Sequence, residues 1–196
     1  MKAIVFILFS VFCWSICGAQ GMVDSVQLLK DVEVLSANEM KGRKVGTKGN
    51  RKAQVYILQR FREIGLEKFD HTYEQPFFFY TSSSQKVMGT NLMGAISGSK
   101  DSSWIVISAH YDHLGVNDSL IQDSIYNGAD DNASGVAGML AIASYFKQHP
   151  PTHNLLFVAF DAEEEGLRGS HAFIQQFSEP LPKMALNINL DMISHS

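Results

Sequence analysis

The second half of the chain alternates between continuous apolar runs and helical patterns. Residues 133–148 and 169–177 have the apolar spacing of helices, and Ser170 is a plausible N-cap of the second one. Strands that are apolar throughout and alternate with helices are typical of a parallel sheet covered on both faces. The runs that predict these buried strands are 103–110, 154–162 and 184–193.

The first half of the chain predicts two helices followed by a β-hairpin. Residues 24–40 form a helical pattern that Asp24 or Ser25 can cap. A second pattern over 51–64 ends at Gly65, because glycine enters the left-handed region cheaply. The intervening "KGRKVGTKGN" predicts a loop, and "EQPFFFYTSSSQKVMGTNLMGAISG" predicts two strands around a polar turn.

The first residues have the pattern of a targeting segment. After a charged start, an apolar stretch over 4–16 is followed by small residues that favour cleavage after Ala19. This stretch is too short for a comfortable membrane span. We therefore predict a signal peptide over 1–19 and one mature domain over 20–196, exported to the periplasm or beyond without stable membrane association. An uncleaved anchor is the alternative, and lipidation at Cys17 is less favoured because "WSIC" fits that context poorly.

Composition and charge narrow the class of protein. The chain has 196 residues, of which 45% are hydrophobic, and this suits one domain with a real core. The net charge is −4 and no basic stripe is present, so nucleic acid is not an expected partner. Cys13 and Cys17 both lie in the predicted signal peptide, so the mature protein would rely on its core or on bound metal for stability.

Acidic residues and histidines gather at or just after the predicted strand ends. In a parallel sheet these ends meet at one edge. Converging carboxylates would repel one another, and a pair of divalent cations removes that repulsion. Zinc accepts both imidazole nitrogen and carboxylate oxygen, and one aspartate can bridge two ions. The residues concerned are His110, Asp112, His113, Asp130, Asp131, Glu163, Glu164, Glu165 and Asp191.

Each of these segments also has an ordinary structural explanation. A histidine at a strand end is more often a satisfied polar residue than a ligand. The segment "GADDNASG" is a credible turn before a helix, and "AEEEG" can be a solvated first helical turn. The combination nevertheless favours a metal site, because all the segments fall at equivalent positions of the predicted sheet.

The segments "SAHYDHLG", "NGADDNASGVA", "FDAEEEGLRGS" and "NLDMIS" resemble, in order and spacing, the co-catalytic dizinc aminopeptidases of metallopeptidase family 28. The resemblance covers roughly residues 30–196. It implies a three-layer αβα sandwich with a mixed, mostly parallel sheet of the zinc-peptidase (phosphorylase/hydrolase-like) type. It also implies a secreted enzyme that acts on peptide substrates and hydrolyses N-terminal peptide bonds with a metal-activated water.

The same resemblance implies a zinc ligand set. One zinc ion would be bound by His110 and Asp191, and the second by Glu164. Asp131 would bridge the two ions, and in such enzymes the peptide bond from it to Asn132 is often cis.

The resemblance further implies the residues that act beside the metals. Asp112 would hydrogen-bond the imidazole of the first histidine ligand, and Glu163 would be the general base. A base and a ligand at adjacent positions require the backbone to turn there, which Gly166 favours. Glu165 is predicted to be a surface residue.

The sequence departs from the family pattern at its end. The second zinc of the family takes a further histidine from a much later segment, whereas this sequence stops five residues after Asp191. His195 is the only nearby candidate. We therefore expect a C-terminally truncated chain, incomplete in fold there, that binds one zinc well and the second weakly, with little or no activity.

Two other functions stay open at this point. A glutaminyl cyclase shares the family fold and uses one zinc, although "EEEGLRGS" after the strand is more typical of the peptidases. A non-catalytic binding module is the third possibility. The intact metal-binding pattern argues against it, and the expected truncation argues for it.

Overall fold

The structure is a computed structural model that describes residues 23–100, 103–177 and 184–194. The predicted signal peptide with its two cysteines, and also His195, lie outside the described residues. Within the ranges that are described, no helix has both the length and the apolar character needed to cross a membrane.

Helices and strands follow one another in the order that the apolar pattern predicts, but the prediction of a buried strand over 184–193 is wrong, because the strand there covers only Met184–Asn189 and is largely exposed. A short 3₁₀ segment, Asn38–Arg43, joins the first two helices, and a wide turn of π type, Ala129–Ser134, precedes the third. The helices are α1 (Ser25–Leu35), α2 (Lys48–Ile64), α3 (Gly135–Gln148) and α4 (Arg168–Gln176). The strands are β1 (Glu67–Lys68), β2 (Glu74–Tyr80), β3 (Lys86–Ile96), β4 (Trp104–His110), β5 (Gly115–Val116), β6 (Ile125–Tyr126), β7 (Asn154–Phe160) and β8 (Met184–Asn189).

The main sheet is mixed, with the strand order β1-β3-β7-β4-β8 and with β2 also paired to β3. Strand β4 lies parallel to both of its neighbours, β7 and β8. Strand β3 runs antiparallel to β1, β2 and β7. The three parallel strands therefore end at the same edge of the sheet, which is the edge where the sequence predicts the metal site.

Helices cover the two faces of this sheet, which gives the predicted three-layer αβα sandwich. On one face, Phe61 of α2 and Leu140 of α3 pack in one buried cluster with Phe157 of β7. On the other face, Phe173 of α4 packs with Val158, the next residue of β7. Neighbouring residues of a strand point to opposite faces, so a strand that is apolar throughout serves both cores.

The first helix is shorter than the predicted span of 24–40. Asp24 is its N-cap and accepts a hydrogen bond from the backbone N–H of Gln27 at 3.0 Å. The helix ends at Leu35 because Ser36 turns back on it. The Ser36 hydroxyl donates to the carbonyl of Val32 at 2.8 Å, which competes with continuation of the helix.

The second helix begins earlier than predicted and ends where expected. Thr47 caps it, and its hydroxyl oxygen accepts from the N–H of Asn50 at 3.2 Å, so the first residues of the helix come from the segment predicted as a loop. Gly65 ends it in the left-handed region, with a φ of 79°. The predicted cap of α4 is wrong, because Ser170 lies inside the first turn and its hydroxyl donates to the carbonyl of Leu167.

Candidate metal centre

Four chain segments meet at the carboxyl edge of the parallel strands. His110 is the last residue of β4, the run of glutamates begins three residues after the end of β7, and Asp191 follows β8. The fourth segment is the wide turn before α3, which carries Asp131. Residues far apart in sequence are thus placed at one site by the pairing of three parallel strands.

The first cluster of possible ligands is formed by His110, Asp131 and Asp191. The Nε2 atom of His110 lies 3.1 Å from Oδ1 of Asp131 and 3.5 Å from Oδ1 of Asp191. The histidine is buried, whereas the two carboxylates are partly exposed. These are the three residues that the sequence predicts for the first zinc ion.

The second cluster contains a histidine that the prediction leaves without a role. It consists of His113, Asp131 and Glu164. The Nδ1 atom of His113 lies 2.7 Å from Oε1 of Glu164 and 3.7 Å from Oδ2 of Asp131. Asp131 therefore faces a different histidine with each of its two oxygens.

The turn that carries Asp131 is fixed to the end of β8 by its neighbour Asn132. The peptide bond between these two residues is cis. The buried side chain of Asn132 donates to the carbonyl of Leu190 at 2.9 Å. Its oxygen accepts from the N–H groups of Gly135 at 3.0 Å and Met192 at 3.2 Å. This amide therefore links the start of α3 to the segment that carries Asp191.

Asp112 is fully buried and holds the glutamate turn in place. Its two carboxylate oxygens accept from the backbone N–H groups of Glu163 at 3.0 Å and Glu164 at 3.3 Å. The Nδ1 atom of His110 lies 3.1 Å from the Asp112 carbonyl oxygen and 3.7 Å from its carboxylate. The ring nitrogen of His110 is thus within hydrogen-bond distance of the Asp112 carbonyl oxygen, whereas the Asp112 carboxylate lies farther away.

The backbone reverses around the glutamates, as a neighbouring base and ligand require. Ala162 has a φ of 56° and Gly166 a φ of 89°. The Glu163 carbonyl accepts from the N–H of Gly166 at 2.9 Å, which closes the turn. Glu165 is half-buried and lies 3.9 Å from the ammonium group of Lys44, away from both clusters.

A cleft of about 230 Å³ opens beside the first cluster. Glu163 lines it together with His110 and Asp191, and Leu167 and Asn189 also contribute to its lining. Among the described residues, Glu163 belongs to neither ligand cluster. Its carboxylate therefore lies at the site but is not one of the predicted metal ligands.

The acidic surroundings change the protonation of the site. Burial disfavours charge on the imidazole of His110, but the carboxylates of Asp112, Glu163 and Asp191 outweigh it and raise the pKa of His110 to about 9. Partial burial raises the pKa of Glu163, and the nearby carboxylates add to this effect although His110 opposes it. A cation at this edge would relieve the same repulsion.

The donor sets fit zinc. Each cluster offers one imidazole nitrogen and two carboxylate oxygens, and the ligand atoms of each lie within 4.8 Å of one another. Three protein ligands with a remaining open position are typical of catalytic zinc rather than structural zinc. His110, Asp131 and Asp191 would hold one ion, and Asp131 and Glu164 would take part in holding another.

Arg43 is a second residue whose role the sequence reasoning missed. It is fully buried, and its guanidinium donates to backbone carbonyl oxygens around the site. Burial lowers the pKa of Arg43 to about 10, although Asp112 and Asp131 act in the opposite direction. In the sequence Arg43 stands within "KGRKVGTKGN", which predicts only a loop. The carbonyls belong to Leu35, Tyr111, Asn127, Gly128 and Asp131.

A family model described as peptidase family M28 matches residues 91–196, which is more than half of the chain. This chain belongs to peptidase family M28. The matched range contains both clusters and Glu163, so the segments that carry the resemblance in sequence are the ones that form the site in the fold.

Two curated relatives of this M28 chain are each 34% identical to it. A probable zinc metalloprotease of Pyrenophora tritici-repentis matches over 108 residues, 55% of this chain and 25% of the relative. Aminopeptidase YwaD of Bacillus subtilis matches over 119 residues, 60% of this chain and 24% of the relative. The match thus spans about a quarter of each relative's length.

Solved structures share the fold of this M28 chain. A Zn-dependent exopeptidase from Parabacteroides distasonis aligns with a TM-score of 0.74 at 18% identity, over 89% of this chain and 63% of that one. A glutaminyl cyclase from Fimbriiglobus ruber aligns with a TM-score of 0.73 at 23% identity, over 86% and 61%. The fold is therefore common to both kinds of enzyme and does not separate them.

Proposed function

We propose that this protein is an exported zinc aminopeptidase that hydrolyses N-terminal peptide bonds. The observation that carries the proposal is the position of Asp131, whose two oxygens face different histidines in two adjacent ligand clusters. A carboxylate that belongs to two adjacent ligand clusters can bridge a pair of zinc ions with its two oxygens. The presence of Glu163 beside the pair supplies the acid–base group that peptide hydrolysis requires.

The proposed ligand roles follow the geometry of the clusters. His110 and Asp191 would hold the first ion, Glu164 would hold the second, and Asp131 would be shared between them. Asp112 is a positioning residue that orients His110 through its carbonyl and the glutamate turn through its carboxylate. Bound zinc supplies a Lewis acid that polarises the scissile carbonyl and acidifies water.

Glu163 is the proposed general base. Burial raises the pKa of Glu163, which makes its carboxylate a better proton acceptor than an ordinary surface glutamate. Glu163 accepts a proton from the water that attacks the peptide carbonyl carbon. The new C–O bond forms in that first step, and the C–N bond breaks afterwards, when Glu163 delivers the proton to the nitrogen of the departing amine.

Charge and cleft size favour an exopeptidase. The partly exposed carboxylates of Asp131, Glu164 and Asp191 give the site an excess of negative charge, which attracts a free terminal ammonium group. The cleft of about 230 Å³ beside them suits one side chain rather than an extended peptide. The name of the relative YwaD, an aminopeptidase, supports the same assignment.

A substrate panel tests the proposal. We expect zinc-loaded protein to release nitroaniline from aminoacyl nitroanilides, to leave N-acetylated analogues intact, and to lose activity with a chelator. A glutaminyl peptide is included, and its cyclisation without hydrolysis would identify a glutaminyl cyclase instead. Binding of these compounds without turnover would point to a non-catalytic module and would contradict the proposal.

Export is a separate part of the proposal. It rests on the apolar stretch and small residues of the predicted signal peptide over 1–19. N-terminal sequencing of the protein recovered from outside the cytoplasm should begin at Gln20. A product that keeps Met1, or one that carries lipid on Cys17, would refute cleavage after Ala19.

A further inference from the structure

His113 stands three positions after His110, but its ring reaches the other side of Asp131. Strand β4 ends at His110, and the buried Asp112 then fixes the chain before it turns. As a result the two imidazoles flank the same carboxylate, one facing Oδ1 and the other facing Oδ2. A pattern of His, any residue, Asp and His thus presents one imidazole to each cluster.

The ring of His113 is held tightly in this position. Its side chain is 9% exposed, and its ring packs edge-on against Tyr126 with 6.4 Å between the ring centres. Gly128 lies so close that an added Cβ would be 2.6 Å from Cδ2 of the histidine. The Nδ1 atom faces two acidic side chains, Glu164 and Asp131.

We propose that His113 is a protein ligand of the second metal ion and binds it through Nδ1, together with Asp131 and Glu164. The inference rests on the proposed function as a two-zinc enzyme. It gives the second ion the same ligand chemistry as the first, one imidazole and two carboxylates, from residues of this chain alone.

The distances suit shared coordination after a small adjustment. Two ligands of one tetrahedral zinc ion lie ~3.3 Å apart when the metal–ligand bonds are ~2.0–2.1 Å. The separation of 3.7 Å between His113 and Asp131 is near this value. The separation of 2.7 Å between His113 and Glu164 is that of a hydrogen bond, so the Glu164 carboxylate moves outward when an ion replaces the proton between them.

The competing role for His113 is that of a positioning residue that only donates a hydrogen bond to Glu164. The two roles differ in what the metal senses. A directly bound imidazole shares electron density with the ion, whereas a hydrogen-bonded one does not. Loss of an orienting partner typically weakens metal binding by roughly 10–100-fold, and loss of a direct ligand weakens it more.

The test uses the whole mature chain loaded with Co²⁺ and with Zn²⁺. Proton NMR of the cobalt form detects exchangeable N–H protons of metal-bound imidazoles, far outside the usual range. Titration followed by native mass spectrometry gives the number of ions and the affinity for each. The variants are His113→Ala, His110→Ala and, as the matched control, His171→Ala on the exposed surface of α4.

We expect two shifted exchangeable signals in the wild-type cobalt form, one for each histidine. His113→Ala should lose one signal and bind the second ion more than about 100-fold less tightly, while the first ion is kept. Retention of the first ion shows that the variant folds. The wild-type spectrum tests the inference even without any variant.

Other results overturn the inference in distinguishable ways. His113 would be rejected as a ligand if the wild-type cobalt form held two ions but gave only one imidazole signal. It would also be rejected if His113→Ala kept both ions within about 10-fold of their wild-type affinities. Either result would leave the proposed function standing. Uptake of one ion by the wild type would also reject His113 as a ligand. A wild-type chain that binds no ion would refute the proposed zinc function itself.

Discussion

Adjacent residues in the glutamate turn face different chemical surroundings. Glu164 points to His113 and the second cluster, whereas Glu163 lines the cleft beside the first cluster. The positive φ values of Ala162 and Gly166 reverse the backbone and make this division possible. One acidic run can therefore supply a metal ligand and a base from neighbouring positions.

Replacement of the base should separate turnover from metal binding. We expect Glu163→Gln to lower kcat by about 10²–10⁴-fold, because the amide cannot accept the proton. Both ions should remain bound, since Glu163 belongs to neither cluster of described residues. Steady-state kinetics and metal counting on the same preparation measure the two effects.

Glu165→Gln is the matched control for that change. This residue has the same side chain two positions later, but it lies near Lys44 rather than at the cleft. Its replacement should leave kcat within about twofold, as is usual for a residue outside the reacting groups. An equal loss of activity in both variants, or loss of metal from Glu163→Gln, would contradict the role of Glu163 as base.

At this scale the sequence predicted the convergence of His110, Asp131, Glu164 and Asp191, and the structure brings them together. Three of them stand at or just after strand ends and are placed by the pairing of parallel strands, whereas the turn with Asp131 is held to the end of β8 by Asn132. The contact of His113 with Glu164 depends instead on the turn after β4 and on the ring packing against Tyr126. This contact joins residues that are distant in sequence, so no local sequence pattern predicts it.

At the scale of elements, Arg43 ties the 3₁₀ segment to the end of β4 and to the turn before α3. Its donors reach the carbonyls of Leu35, Tyr111, Asn127 and Gly128. A buried guanidinium whose N–H groups donate to carbonyl oxygens of several segments connects those segments, rather than forming part of an ion pair. The segment around it reads as a polar loop in sequence because those carbonyls come from distant residues.

Arg43→Lys should therefore destabilise the fold without changing its net charge. A lysine cannot span carbonyls on several sides, so buried acceptors lose their donors, and we expect the free energy of unfolding to fall by about 2–4 kcal/mol. Urea unfolding of the metal-free chain measures this. Arg51→Lys is the control, because Arg51 is exposed and its ion pair with Glu74 should contribute less than about 1 kcal/mol. Equal stabilities of the two variants would show that Arg43 does not stabilise the fold by connecting these segments.

Elements were predictable where burial alone decides them. The strands around His110 and Phe157 are apolar on both faces, and the structure places both between helical layers. The errors fall at helix ends, where single hydroxyls decide the outcome. Ser36 ends α1 early through its bond to Val32, and Ser170 is not the cap of α4 because the turn after β7 starts that helix sooner.

At the scale of the whole molecule, metal binding should be linked to global stability. The ligands come from segments that meet only in the folded sheet, so the ions bind the folded state and not the unfolded one. With free zinc at about 100 times the dissociation constant, one site adds about 2.7 kcal/mol and should raise Tm by about 5–10 °C. Differential scanning calorimetry with zinc and with a chelator measures the shift.

Two aspartate variants test whether that stabilisation comes from this site. Asp131→Asn removes the shared ligand and should abolish most of the shift, whereas Asp118→Asn changes an exposed residue elsewhere and should keep it. A zinc-dependent shift that survives in Asp131→Asn would mean that zinc stabilises the chain from another place.

Asp161 gives the metal-free fold a dependence on pH. Burial, and then the charge of Asp112, raise the pKa of Asp161 from 3.8 to about 7, although donors such as the N–H of Thr90 oppose the shift. Because the pKa of Asp161 is higher in the folded state than in the unfolded state, its contribution to stability is fully present below about pH 4. That contribution is lost as the pH rises through about 7. The loss is at most about 4 kcal/mol.

Urea unfolding between pH 4 and pH 8, with a chelator present, measures this dependence. Asp161→Asn cannot ionise, so the difference in unfolding free energy between wild type and variant should shrink or change sign as the pH rises. A difference that stays constant over this range would show that Asp161 is ionised in the fold throughout.

The buried amide of Asn132 has a consequence for the order in which the protein matures. By joining the turn before α3 to Leu190 and Met192, it makes the centre depend on β8, the last of the described strands along the chain. A nascent chain that has completed β4 and β7 still lacks the contacts of Asn132 with Leu190 and Met192. It also lacks the carboxylate of Asp191, which lies between those two residues. Metal binding should thus be a late step of folding, and its timing would show when β8 has joined the sheet.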